Sequence, residues 1–346
     1  MDIENGRREK KMDNSLTLKR RFFSLKTLLS FLLAFAIIYL LVTRMDTTRV
    51  LSVIAGTNVL IYTLGFIIYY AAFPLRGLRF RTMLGNNGCS VPAGDLTRII
   101  FISWFANCVV PAKLGDLFRA FLVKRKYCHP FANTVGTIFA ERVFDLFVLY
   151  ILIGASGLIA FQGIMPTTVM IILQTGFILL AVIMAVLVFM RFFSTRFLAW
   201  FPDKVRAAYQ KFLTGTMSSF RRSWQLAGLT ALIWFLEGSS FYMVSLAIGI
   251  DLSFVRVIFI GLVSAMLTAL PITPAGLGFV ETAKVGMLMF FNVDRNVALS
   301  AALIDRVINY WSLLIFGFIV YMTTEQGRLA KEVESHENDD NHSYVQ

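Results

Sequence analysis

Two long apolar stretches of this chain are interrupted in the same way, and that interruption restricts the fold more than any other feature. Pro111-Ala-Lys-Leu-Gly115 breaks the first and Pro274-Ala-Gly-Leu-Gly278 the second. Each break is followed by an acid–arginine pair and a third polar group: Glu141-Arg142 with Asp145, and Asp305-Arg306 with Asn309. From Pro111 to Arg142 is 31 positions, and from Pro274 to Arg306 is 32. On a helix, positions i, i+1 and i+4 gather toward one side. Two apolar halves with the same break and the same polar cluster form the pattern of a repeat-built membrane transporter. The five-residue match alone is weak. The matched offset to an acid–arginine pair makes chance the poorer explanation.

Composition agrees with a membrane chain. Of 346 residues, 57% are hydrophobic and only 16% charged, with mean hydropathy +0.68. A soluble domain carries about 25% charged residues. The 33 Phe and 5 Trp suit a lipid-facing surface with interfacial anchors. The net charge of +12 says little by itself; where the charges sit suggests contact with anionic headgroups rather than nucleic acid. Cys89, Cys108 and Cys128 have no metal-ligand spacing, and His129, His336 and His342 are scattered, so neither a metal site nor a cofactor is expected.

In chain order, residues 1–24 read as a basic, disordered cytoplasmic lead, with no small-residue cleavage site after the first apolar run. Leu25–Val42 and Val50–Phe73 read as spans joined by an outside link, Arg44–Arg49. Pro74–Gly94, with Arg76, Arg79 and Arg81, reads as an inside loop. Leu96–Val110 is apolar but short, then comes the first break, then a segment ending in Lys124-Arg125-Lys126. Phe131–Phe161 and Val169–Met190 are spans joined by the turn Gly163–Pro166. The basic stretch 191–222 carries Val205, Ala208, Tyr209 and Phe212 at helical spacing, as an amphipathic segment on the inner surface would. Trp224–Ile248, the pair Phe254–Leu270 and Phe279–Phe291 around the second break, and Val297–Tyr321 complete the membrane part. Residues 324–346 read as an acidic, disordered cytoplasmic tail.

Charge decides the topology. Were Leu96–Val110 a full crossing, Lys124–Lys126 and the bases of 191–222 would lie outside, against the positive-inside rule. If the chain enters and returns as a hairpin, the large basic loops all fall inside. The first hairpin then enters from the inside and the second from the outside. The expected fold is an all-α, polytopic membrane bundle of two inverted repeats, each with a broken, re-entrant helical hairpin. The membrane domain covers 25–323, with repeat one at about 50–190 and repeat two at about 224–323.

Charges within a bilayer are costly, on the order of 3 kcal/mol each. Glu141, Arg142, Asp145, Glu237, Asp305 and Arg306 nonetheless fall within spans, and Lys113, Asp116, Arg119 and Glu281 flank the breaks. Mutual pairing, with Glu141 and Asp145 on Arg142 or Arg306, weighs equally with a ligand role for the acids. For Lys113, Arg119, Arg142 and Arg306 the reading leans toward an anion, because a guanidinium fork fits phosphate. Thr273 before Pro274 suits an N-cap, which would point a helix dipole into the bilayer. Lys284 reads as a snorkelling side chain, Asn107 as a partner for freed backbone, and Glu237 as an internal cap or a proton site. Two kinked core helices with no ligand are the bland alternative.

At these residues the chain resembles a known family. Asn107, Pro111, Gly115, Asp116, Arg119, Glu141-Arg142 and Asp145, then Pro271, Pro274, Gly276, Gly278, Glu281, Arg306 and Tyr310 look like the signature of the lysylphosphatidylglycerol synthase transmembrane-region, or flippase-like, family. The likeness covers about 25–323; Asp116 stands where Glu is expected and Ala275 where Gly is. It implies a multi-pass protein of a prokaryotic cytoplasmic membrane; the charge count above puts both termini in the cytoplasm. It also implies the translocating part only, since the chain ends about 23 residues after its last span.

The expected function is translocation of an anionic lipid headgroup through a polar cavity between the repeats. The lipid would be a phospholipid, an aminoacyl-phospholipid or a polyprenyl-phosphate-linked sugar, and its protein partner a membrane enzyme that makes it. Lys113, Arg119, Arg142 and Arg306 would hold the phosphate. Asn107, Asp116, Glu141, Asp145, Glu237, Glu281, Asp305, Asn309 and Tyr310 would shape or gate the cavity. No catalytic residue is expected. A membrane-embedded transferase and a non-transporting scaffold are the competing classes.

Overall fold

The computed structural model describes Tyr39 and residues 46–110, 113–162, 167–197, 202–268 and 273–323. Outside them lie the expected lead 1–24 and tail 324–346, almost all of the Leu25–Val42 span, the Gly163–Pro166 turn, and the break prolines Pro111 and Pro271. The described residues form eleven helices: α1 (Thr47–Ala55), α2 (Val59–Asn86), α3 (Ala93–Val109), α4 (Leu114–Tyr127), α5 (Phe131–Ala160), α6 (Thr167–Phe197), α7 (Asp203–Ser219), α8 (Ser223–Ala247), α9 (Phe254–Thr268), α10 (Phe279–Phe290) and α11 (Arg295–Thr323). By length and composition, the helices apolar enough to cross a membrane are α2, α5, α6, α8 and α11.

Two expected boundaries are corrected. Val50–Phe73 is not one span. Asp46 caps α1, and Asn58 starts a new helix by accepting from Leu60 N and Ile61 N at 3.1 and 3.2 Å. Pro74–Gly94 is not a loop either. Helix α2 runs through Pro74 to Asn86, as prolines in membrane helices do where neighbours re-satisfy the backbone. Arg76 and Arg79 therefore sit on a packed helix and are buried, while Arg81 is exposed.

The two breaks organise the bundle. Helices α3 and α4 form an antiparallel hairpin. At its base, Lys126 and the Tyr127 hydroxyl reach Asp95. At its tip, Asn107 Oδ1 accepts from Gly115 N at 2.9 Å and Ser103 donates to Gly115 O at 2.8 Å. A Cβ at Gly115 would stand 2.1 Å from Ser103 O, so only glycine lets the arms close. Helices α9 and α10 form a second antiparallel hairpin, with Arg256 over the Phe291 ring at its base. The arms are short: 17, 14, 15 and 12 residues. At 1.5 Å per residue the longest reaches about 25 Å, below the ~30 Å hydrocarbon thickness.

The copies interlock. Helices α2 and α8 pack antiparallel along their length, with Asn58 N on Ala247 O at one end and Asn86 on Arg221 O at the other. Helix α5 packs on α9, where Phe161 meets Phe259. Helix α11 packs on α3, where Gly317 meets Phe105 and the Tyr310 hydroxyl donates to Cys108 O at 3.3 Å. Each copy's long helix thus holds the other copy's hairpin, and the Pro274–Gly276 turn rests against α3.

Helix α7, from the amphipathic stretch, lies along the first half of α5. Thr216 Oγ1 donates to Gly136 O at 3.2 Å. A Cβ at Gly136 would come 2.1 Å from Phe212 O, and one at Gly215 would come 2.0 Å from Asn133 O. Substituting Gly136 by valine should therefore force α5 and α7 apart and destabilise the protein by about 1–3 kcal/mol. Gly154→Val, where a Cβ meets nothing within 4 Å, should stay within about 0.5 kcal/mol of wild type. Thermal unfolding in detergent compares the two.

Candidate functional site

The charged residues of each break form two crossed ion pairs with the next long helix. On α4, Asp116 and Arg119 are three apart and share a face. Arg142 on α5 holds Asp116, with Nη2 3.0 Å from Oδ2, and Arg119 holds Glu141, with Nη1 3.2 Å from Oε2. On α10, Glu281 and Lys284 have the same spacing. Arg306 on α11 holds Glu281, with Nε 2.7 Å from Oε1, and Lys284 holds Asp305. In both copies the hairpin supplies acid-x-x-base, the long helix supplies acid–arginine, and each acid takes the other element's cation.

The third polar group of each cluster differs. Asp145 receives Arg142 Nη1 at 3.2 Å and Arg79 Nη1 at 2.6 Å. Arg79 also reaches Glu141 Oε1 at 3.0 Å and donates to Thr230 at 2.9 Å. Asn309 instead donates to Asp305 at 2.6 Å. Directly after Arg306 the helix widens into a π-turn, Val307–Trp311, a deformation frequent at functional sites.

The breaks themselves use left-handed backbone. Lys113 has φ 54° and Ala275 φ 49°, and Gly276 and Gly278 have φ 72° and 81°. Arg306 donates to the carbonyls of Ala275 and Gly276 at 3.2 Å each. It thereby serves backbone acceptors that the break frees from helical bonding.

Several expectations need correction. Glu141 and Asp145 do not pair with Arg306, which is spent on Glu281 and the two carbonyls. Lys284 does not snorkel; it is buried on Asp305 with its ammonium 4.1 Å from the Phe241 ring centroid. Thr273 is no N-cap, because its hydroxyl donates to Leu277 O at 2.9 Å and α10 begins only at Phe279. Glu237 has a partner in Arg76, whose Nη2 lies 2.6 Å from it and whose Cζ stands 4.5 Å from the Trp104 ring centroid. Asn107 does bind freed backbone, at Gly115 N.

Sequence reasoning missed Arg76, Arg79 and Lys284 as members of the buried charge system. For Lys284 a signal existed, the shared acid-x-x-base spacing. Away from the charges, an apolar groove of about 420 Å³ lies between α5 and α6, lined by Tyr150, Met170, Leu173, Gln174, Phe177 and Ile178.

Fold and site together define a polytopic α-helical membrane protein built around two ion-paired, broken hairpins. The sequence model of the lysylphosphatidylglycerol synthase TM region matches residues 27–317, and the chain belongs to that family. Among its relatives, a UPF0104 membrane protein of Methanocaldococcus jannaschii is 32% identical over 231 residues, 65% of this chain and 96% of the relative. Glycosyltransferase AglD of Haloferax volcanii is 27% identical over 340 residues, 86% of this chain but 54% of the relative, so this chain spans about half of its length. Inner membrane protein YbhN of Escherichia coli is 24% identical over 314 residues, covering 87% of this chain and 92% of the relative.

Removing one partner of a buried pair strands the other charge. Lys284→Met should destabilise the protein by about 3–5 kcal/mol. Adding Asp305→Asn, which keeps a hydrogen-bonding group beside Asn309, should recover most of that loss. A double-mutant cycle on melting temperature measures the coupling, and additive losses would show that the pair is not a unit.

Proposed function

We propose that the chain moves the headgroup of an anionic lipid across the membrane between its two copies, while the acyl chains stay in the bilayer. The observation that carries this reading is the pair of matched, buried ion-pair sets beside two short hairpins whose tips lie close together. A bundle that only needed stability would do as well with apolar side chains, since replacing buried ion pairs by packed hydrophobes is often neutral or stabilising. A set of exchangeable pairs does something more. A phosphate can take a carboxylate's place on a guanidinium, and the released carboxylate can turn to a neighbouring cation. Asp145, shared by Arg79 and Arg142, is placed for that exchange.

The opposite insertion of the two hairpins, the re-entrant course of each and the cytoplasmic termini belong to the same proposal. Antiparallel packing of the equivalent helices α2 and α8 supports it. So do hairpin arms too short to cross. The charges pair with one another, so the polar cavity of the proposal belongs to a state in which these pairs open.

A relative named as a glycosyltransferase favours a second reading, a membrane-embedded step on a lipid-linked sugar. Under the first reading the chain would hand such a lipid across the membrane. Under the second it would change the lipid covalently.

Both are tested in proteoliposomes carrying fluorescent phosphatidylglycerol or a labelled polyprenyl-phosphate sugar. The purified protein should speed movement of label between leaflets and leave the lipid's mass unchanged. Arg142→Lys keeps the charge but loses the fork, and should slow movement by about tenfold at near-normal melting temperature. No acceleration over empty liposomes would refute translocation, and a changed lipid mass would favour the transferase.

A further inference from the structure

The two copies differ by one unit of charge. The first break gathers Lys113, Arg79, Arg119 and Arg142 against Asp116, Glu141 and Asp145: four cations and three carboxylates among the described residues. The second gathers Lys284 and Arg306 against Glu281 and Asp305, two of each. Arg76 and Glu237 balance one another.

The surplus charge is that of Lys113. Its ammonium makes no hydrogen bond or ion pair among the described residues. Its backbone is tied to the cluster all the same: Lys113 O accepts from the N–H of Asp116 at 3.0 Å, and Asp116 is the carboxylate that Arg142 holds. Lys113 also occupies a costly backbone conformation. Lys113 is the third residue of its Pro-Ala-x-Leu-Gly and stands at φ 54°, ψ 34°. The same place in the second copy is Gly276, at φ 72°, where glycine meets no Cβ penalty. A lysine here is worse for the backbone than the residue its counterpart uses, and it adds an uncompensated charge at membrane depth.

Unused donors follow the same asymmetry. Arg119 Nε, Arg119 Nη2 and Arg79 Nε are buried without an acceptor, whereas neither Lys284 nor Arg306 leaves a buried donor unpaired. Arg142 is 27% exposed and Arg306 only 7%.

We infer that the first break alone is the anion site, and that it takes one negative charge, the phosphodiester of a lipid headgroup, with Lys113 as its counter-charge and Arg142 as the fork beside it. The second copy is a clamp whose charges are already satisfied. Two lipid sources share this chemistry, a glycerophospholipid and a sugar on a polyprenyl monophosphate. A diphosphate link brings at least one charge too many. The inference rests on the translocation reading for the ligand being a lipid, and the site's surplus charge stands without it.

The test is binding by the full-length protein in nanodiscs of phosphatidylcholine, titrated with short-chain phosphatidylglycerol, a short polyprenyl-monophosphate sugar and its diphosphate analogue. Wild type should bind at least one phosphodiester, and more tightly than the diphosphate; whichever phosphodiester binds better names the source. Lys113→Gly should lose about tenfold in affinity, while its unliganded melting temperature stays at or above wild type. Lys113→Arg should restore binding, and Lys204→Ala, an exposed control, should change nothing. Wild-type affinity in Lys113→Gly, preference for the diphosphate, or no binding by wild type would each overturn the inference. Tight Lys113-dependent binding without lipid movement in liposomes would instead refute translocation alone.

Discussion

Everything in this fold hangs on a charge exchange between a hairpin and the helix that follows it. Each hairpin turns round on irregular, left-handed backbone, and under the translocation proposal it does so at membrane depth. Irregular backbone at membrane depth persists only where protein or enclosed water satisfies it. The crossed pairs are what bring protein to it. Asp116 and Arg119 lock onto Arg142 and Glu141, and Glu281 and Lys284 onto Arg306 and Asp305. In the second copy the same arginine goes on to the turn's carbonyls. Pairing and turn are therefore one device: the turn needs the arginine, and the arginine is tolerable only because the hairpin brings an acid.

The two matched sets differ in balance. The second set is balanced, two cations on two carboxylates. The first has recruited Arg79 from α2 and carries Lys113 in a conformation suited to glycine. Such a site is held in shape by its neighbours and still holds one charge to spare. Because each long helix packs on the opposite hairpin, the two breaks touch directly, with the Tyr310 hydroxyl donating to Cys108 O.

The sequence revealed the breaks, the acid–arginine pairs after them and the helical class, because proline, glycine and charge inside apolar runs have few structural explanations. It did not reveal which charges meet. Arg76 and Arg79 follow Pro74, and that proline with three nearby arginines looks like a loop. Their partners Glu237 and Asp145 are 161 and 66 residues away, a separation that no local pattern encodes. Lys284 was hidden by a two-residue insertion between Gly278 and Glu281, compared with the adjacent Gly115 and Asp116. Aligning on the acid-x-x-base spacing instead of on the break would have exposed both crossed pairs. The split at Gly56–Asn58 had a legible signal too, an asparagine able to cap, but apolar residues on both sides concealed it.

The most direct measurement is an experimental structure of the protein in nanodiscs containing a phosphodiester lipid. This account predicts the headgroup phosphorus within hydrogen-bonding reach of Lys113 and Arg142, with the Asp116–Arg142 contact loosened and the Glu281–Arg306 and Lys284–Asp305 pairs unchanged. A headgroup on Arg306 with the first set still closed would contradict it, as would lipids confined to the outer surface of the bundle.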